Sequence, residues 1–486
     1  MKRILITALS LLIAAAGIGF AGGQAEGTGE EALAKINWEA PMPMAERISQ
    51  QGPIETMDAS WNDWGVTLAG KKAMLTGYVL PEGWEEAIGD VDELVVTNSG
   101  GMTHDPATAV NWKAFEKYTG IRGNIIEMQD PLLWPKTLAV TMAKSTDVDM
   151  FYNTRAMLEI PHLSAAGWIV DIDYLWTPET IKLYPEKQLR ALRGVDGKIY
   201  ASPNCLWGQY LFYRPSWLEA AGVDVPETWQ ELVVATKKVN EWAMSELGPG
   251  NSGMVYPAGD PDPLHQIWAM TTYAQKKTIV VDGKVVVDPK SWELVCKLWT
   301  EGGMSKESME YLWSGAPEVF AKGKAGFIIT GGVYANMYND PEFGTGVQDD
   351  WDVAIVPEWE GFGIKGINLA GNDAWTINPY ISAEKKAAAV LFQDYLRSYQ
   401  AQFNELYVEG NESSMVQVYE HPAIQSEVTF PDLRMQTVEQ QAGEAFPPGM
   451  MDVMELYKEY LHRVILGQLS IDEARERLQG EIDSIQ

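Results

Sequence analysis

The chain has 486 residues, 46% hydrophobic and 21% charged, enough to bury the cores of two or three domains and too apolar for wholesale disorder. Its 37 basic and 67 acidic side chains leave a formal charge of −30, which argues against nucleic acid or anionic lipid as a partner.

Lys2 and Arg3 precede an apolar run, Ile4–Gly19, and then small residues, the pattern of a secretory signal cleaved after Ala21 or Ala25. The run is short for a membrane anchor, and no cysteine lies near the cleavage region to carry a lipid. Residues 1–25 therefore read as a signal peptide, and the mature chain as periplasmic. Residues 26–90 read as a leader and N-terminal extension. Trp38, Trp61, Trp64 and Trp84 stand there among prolines and glycines, suited either to wrapping the first lobe or to forming a contact surface.

Asp92–Ser99 is an apolar strand ending in polar residues, and Ala109–Tyr118 has helical spacing up to Thr119-Gly120. Ile125–Met128 reads as a strand, Leu132–Lys144 as a helix and Val148–Tyr152 as a third strand. This alternation predicts parallel βαβ units. In Gly197–Leu232, Lys198–Ala201 is a short β-prone run broken at Ser202-Pro203-Asn204, and Gln209–Tyr213 is a second strand. Pro215 opens a helix that closes on Gly222, and Thr228 with Glu231 forms a capping box for the next helix. A strand broken and resumed between two chain halves is what a hinge crossing requires. Farther on come a helix over Leu264–Ala274, a hairpin over Thr278–Asp288 turning at Asp282-Gly283, a strand at Asp352–Pro357, and a helix over Glu384–Ser398. Gly467–Gln479 is a C-terminal helix capped by Ser470 with Glu473.

Several of these segments carry a family pattern. The stretch "GK-x-Y-x-x-P … L-x-Y-R-P-x-W-L-x-x-A-G-V … P-x-T-W-x-E-L" resembles the family 1 extracellular solute-binding proteins of ABC importers, the maltose- and multiple-sugar-binding group. Arg214 stands where that motif usually has Asn. The helix around Trp112 to Ile121, the segment Pro317–Tyr334, the run Asn368–Ile377 and the helix Glu384–Ser398 are similar to the family in the same order. The resemblance spans Asp92 to the C-terminus and leaves residues 37–90 unexplained.

It implies an α/β, two-lobed periplasmic binding protein fold (type II-like), each lobe a mixed sheet flanked by helices and joined by hinge crossings. The implied limits are 91–205 for the first segment of lobe 1 and 206–371 for the first segment of lobe 2. Residues 372–432 would return to lobe 1, and 433–486 would be C-terminal helices mainly on lobe 2. The implied role is capture of a sugar or oligosaccharide between the lobes and delivery to a membrane permease, by a monomer that is not an enzyme and carries no cofactor or metal.

The residues themselves carry no enzyme signature. Gly361–Gly366 fits GxGxxG without a following helix, and the five histidines lack ligand spacing. Cys205 and Cys296 read as two buried thiols, with a disulfide the alternative in an exported protein. Nineteen Trp and twenty Tyr exceed what a core needs, and an indole face suits the C–H face of a sugar while amides and carboxylates suit its hydroxyls. Because open α/β sheets bind ligands beyond the carboxyl ends of their strands, the expected ligand-binding residues are Asn98, Ser99 and Asp105 after the first strand and Tyr152 and Asn153 after the third. Trp207 and Gln209 are expected from the hinge, Gly331, Gly332 and Tyr334 from a glycine turn, and Asn372, Asp373 and Trp375 from the return crossing. Trp268 joins them because the family lines its second lobe with that helix. These loops hold little positive charge beyond Arg155 and His104, which disfavours a polyol phosphate. Asp105 and Asp373 leave a polyamine as the alternative, and a secreted carbohydrate-active enzyme is a more distant one.

Overall fold

The computed structural model describes residues 29–100, 102 and 105–485, so the signal-peptide reading of residues 1–25 lies outside the described residues. Nine strands build two large sheets: β1 Glu93–Ser99, β2 Arg122–Met128, β3 Met150–Asn153, β4 Pro203–Leu206, β5 Gln209–Tyr213, β6 Ser252–Val255, β7 Ala325–Gly331, β8 Asp352–Ile355 and β9 Asn372–Ile377. The first sheet has the order β2-β1-β3-β9-β4 and the second β8-β5-β7-β6.

The βαβ units expected from the alternation are present. β1 runs parallel to both β2 and β3, and the helices Pro106–Thr119 and Asp130–Met142 make the connections. β3 is buried along its whole length, as a strand covered on both faces must be, which is why Met-Phe-Tyr shows no alternation of apolar and polar residues. β9 returns antiparallel between β3 and β4. In the second sheet β5 lies antiparallel to β7 and β8, while β6 and β7 are parallel.

One local reading is corrected. Lys198–Ala201 forms no strand beyond an isolated bridge of Ile199 to Arg193, and the strand begins at Pro203, where a break was expected. β4 is the edge of its sheet, so a proline at its first residue removes no needed donor. The other local signals hold. Pro215–Ala221 starts on its proline and ends at Gly222 with φ 63°. Val280–Val281 and Lys284–Val285 pair around Asp282 and Gly283, at φ 51° and 77°, the left-handed pair that a two-residue hairpin favours. The Thr228 hydroxyl accepts from Glu231 N while Glu231 reaches back to the cap N–H, starting the helix Trp229–Glu246. Thr228→Ala should cost about 1 kcal/mol in urea unfolding, and an unchanged midpoint would show that packing alone starts this helix.

The chain passes between the sheets three times. β4 runs through Trp207-Gly208 into β5, the second sheet returns through Asn368–Leu369 and Ala370-Gly371 into β9, and Gln441–Ala442 leads to the C-terminal helices. The crossings are tied to one another. Asn368–Leu369 pairs parallel with Gln441–Ala442, Trp207 N donates to Gly371 O at 3.1 Å, and Gln441 Nε2 donates to Trp207 O at 2.7 Å. A Cβ on Gly371 would lie 2.5 Å from the Trp207 ring, so only glycine lets the second crossing pass this close.

Two main hydrophobic cores correspond to the two sheets. One contains β1, β3 and the helix Ala383–Leu396, and the other contains Trp229, Trp268, Trp292 and the C-terminal helices. Residues 37–90 belong to the first: Met57, Trp61, Leu68, Met74 and Tyr78 are buried in it. The extension therefore packs onto the core of the first sheet, in keeping with the first of the two alternatives posed by its sequence. Arg47, fully buried, anchors it to Asp394 on the helix Ala383–Leu396 at 2.6 Å. Cys205 and Cys296 are both free and buried. No helix of the described residues is long and apolar enough to cross a membrane.

Candidate ligand-binding cleft

A cavity of about 200 Å³ lies between the two sheets, walled by both and floored by the crossings. The first sheet brings Ser99 from the end of β1, Asp130 from just past β2, Thr154 and Arg155 from just past β3, and Asp373 from the start of β9. The second brings Gln209, the turn Gly331–Tyr334 after β7, Asp262 and Trp313. Trp207 sits on the first crossing, half-buried, with its ring centroid 6.4 Å from that of Trp313 and the planes tilted by 54°.

Asp373 is the polar centre of the floor. Its Oδ1 accepts from Trp207 Nε1 at 2.9 Å and its Oδ2 from the Tyr152 hydroxyl at 2.9 Å. Burial pushes its carboxyl well above the usual range, against the pull of those two donors. The Ser99 hydroxyl donates to Asp130, whose carboxyl is likewise raised by burial. Arg155 spans the cleft, with Nη2 3.2 Å from Asp260 and Nε 3.7 Å from Asp262, both at the start of the helix that follows β6 of the second sheet. Burial brings Asp262 to about 7 in spite of that arginine. Glu412 accepts from Arg434 at 2.6 Å and from the Tyr210 hydroxyl at 2.9 Å. Gly332 fits beneath this pair, since a Cβ there would lie 2.6 Å from both Arg434 and Glu412.

Of the residues singled out by the sequence, Ser99, Trp207, Gln209, Gly331, Gly332, Tyr334 and Asp373 line this cavity. Tyr152 stands behind it, orienting Asp373. The others have different surroundings. Asn98 is buried and donates to Ser99 O at 3.2 Å. Asn153 donates to Glu159 at 2.7 Å and accepts from Thr376. Asn372 donates to Gln188 O at 3.1 Å. Trp375 is fully buried, its Nε1 donating to Thr97 O at 3.0 Å. Trp268 is fully buried in the second core, stacked on Tyr457 at 4.6 Å. Asp105 caps the helix Pro106–Thr119 and joins Glu405 and Glu409 in a trio of carboxylates with oxygens within 4.8 Å of one another. That trio has the only ligand-like spacing among the described residues, but Asn111 and the Ala107 N–H already donate into it.

Reading the sequence missed Asp130, Asp262, Trp313 and Glu412 in the cavity. Asp130 was within reach of the strand-end rule, two residues past β2. Asp262 follows the cap Asp260 at the start of the helix Pro261–Tyr273. Trp313 lies in a connection with no local signal beyond its aromatic side chain.

The family model for bacterial extracellular solute-binding protein matches residues 112–431. Several solved structures share the fold. A maltose-bound protein of T. maritima is 20% identical, with a TM-score of 0.70 over 81% of this chain and 100% of its own. An ABC transporter solute-binding protein of Agrobacterium radiobacter in complex with ribitol is 22% identical, with a TM-score of 0.68 over 82% of this chain and 100% of its own. The GacH receptor of Streptomyces glaucescens, determined unliganded and with acarbose, is 17% identical, with a TM-score of 0.67 over 81% of this chain and 98% of its own. The two-sheet architecture and the match over most of the chain make this protein a member of the bacterial extracellular solute-binding family.

Proposed function

We propose that the protein is a periplasmic receptor that closes its two lobes on a sugar or oligosaccharide and hands it to an ABC transporter permease. The observation that carries this reading is the cavity itself: two indole rings beside several carboxylates, drawn from both sheets above the paired crossings. A ligand touching both walls stabilises the closed form by interactions that an open form lacks. On this reading lobe 1 comprises 91–205 and 372–432, and lobe 2 comprises 206–371 and 433–486. The protein works as a monomer and performs no covalent chemistry, and the permease distinguishes the closed, loaded form. The maltose, ribitol and acarbose carried by proteins of the same fold agree with a polyhydroxylated solute.

Thermal unfolding against a panel of sugars and polyols, with polyamines and glycerol phosphate included, tests the assignment. A sugar at about 100 times its dissociation constant should stabilise the native state by roughly 2.7 kcal/mol. A response only to glycerol phosphate would keep the receptor role and overturn the carbohydrate assignment, and turnover of a glycan would overturn the receptor role.

A further inference from the structure

Four carboxylates, on Asp130, Asp262, Asp373 and Glu412, line the cavity with a single guanidinium, that of Arg155. Two of the four are already matched in charge, Glu412 by Arg434 and Asp262 by Arg155. Arg155 in turn is shared with Asp260 at 3.2 Å, and from farther off it also pulls the Asp130 carboxyl down. Asp130 and Asp373 have no ion pair among the described residues. Their partners are neutral donors: the Ser99 hydroxyl for one, and the Tyr152 hydroxyl and Trp207 indole for the other.

One buried acceptor of the wall is unused once Arg155 Nε is set against Asp262. Gln209 Oε1 has no hydrogen-bond partner, in a side chain only 4% exposed, while Asp262 Oδ1 faces Arg155 Nε at 3.7 Å. Buried acceptors without donors are costly and call for a ligand that donates. A neutral hydroxyl both donates and accepts, whereas an ammonium group donates three hydrogen bonds and accepts none. It also brings a cation into contact with Asp130 and Asp373, neither of which has an ion pair among the described residues. Trp207 and Trp313 suit such a ligand, because an indole face attracts a cation as well as a C–H face.

We propose that the solute is an amino sugar with a free ammonium group, held by Asp130 and Asp373, rather than a neutral sugar. This rests on the carbohydrate reading given above. The formal charge of −30 would draw such a cation toward the cleft from solution. Burial raises both carboxyls, and an ammonium hydrogen-bonded to them would favour their ionised forms.

Calorimetric titration of the full chain with glucosamine, glucose, N-acetylglucosamine and spermidine tests the proposal. Glucosamine should bind about tenfold or more tightly than the other two sugars, the gain expected of a charge-assisted hydrogen bond. In Asp130→Asn that preference should collapse to within about threefold, and Asp373→Asn gives the same reading should the first variant fold poorly. Equal affinity for glucose and glucosamine in the unaltered protein would overturn the amine while leaving the sugar receptor intact. Preference for the acetylated sugar would do the same. Binding of spermidine with no response to any sugar would overturn the carbohydrate reading and this inference with it.

Discussion

Asp394→Asn should lose about 3–5 kcal/mol of folding stability at neutral pH, the cost of leaving buried charges unmatched. Asp394 is fully buried between two fully buried arginines. Arg47 reaches it from the N-terminal extension with Nη1 at 2.6 Å and Nη2 at 3.0 Å, and Arg397 reaches it at 2.7 Å from the end of the helix Ala383–Leu396. The Tyr78 hydroxyl, also from the extension, donates at 2.6 Å. An asparagine of the same shape keeps one acceptor and removes the only carboxylate in the group, so two guanidiniums stay behind with nothing to balance them. Urea unfolding followed by tryptophan fluorescence reads the loss. A cost below about 1 kcal/mol, the range of an exposed pair, would mean that water reaches this cluster.

The same carboxyl sets an acid limit. Burial works to raise it, but Arg47, Arg397 and Tyr78 overcome burial and hold it well below the usual carboxylate range. A group whose folded pKa is depressed contributes stability above its unfolded value of about 4, and that contribution is lost as pH falls. The difference between the unaltered protein and Asp394→Asn should therefore be full at neutral pH and shrink progressively below about pH 4. A difference independent of pH down to the acid transition would assign the effect of the substitution to packing.

This cluster also shows what the sequence could and could not convey. Arg47 and Asp394 are 347 positions apart, and no periodicity links them, so the docking of residues 37–90 was open until the fold was known. Features written in neighbouring residues were legible: the Thr228–Glu231 capping box, the Asp282-Gly283 hairpin and the strand Gln209–Tyr213. Cleft residues at strand ends were legible too, because topology places those ends together. Trp268 and Trp375 show the limit of aromatic content as a guide. Each lies on an element flanking the cleft, but the helix turn and the strand pleat direct both rings inward, where Tyr457 and Thr97 O meet them. Trp313 presents its ring to the cavity from a connection, and no local pattern fixes the direction of a side chain there.

Trp207→Ala should weaken solute binding by about 1.5–3 kcal/mol, roughly 10- to 100-fold in dissociation constant, the scale of burying one large apolar side chain. The Trp207 ring has three tasks. It lines the cavity beside Trp313, it packs on Gly371 of the neighbouring crossing, and its Nε1 holds Asp373 at 2.9 Å. Alanine removes all three and leaves Asp373 held by the Tyr152 hydroxyl alone. Phenylalanine keeps an aromatic face without the N–H, so the two variants separate stacking from positioning. If Trp207→Phe recovers most of the affinity, the face dominates; if it binds as poorly as alanine, the hold on Asp373 does. Thermal unfolding without ligand must accompany the titrations, because the ring also supports the crossing and a loosened hinge would lower the midpoint in both variants. Binding of Trp207→Ala within about threefold of the unaltered protein would remove Trp207 from the recognition surface.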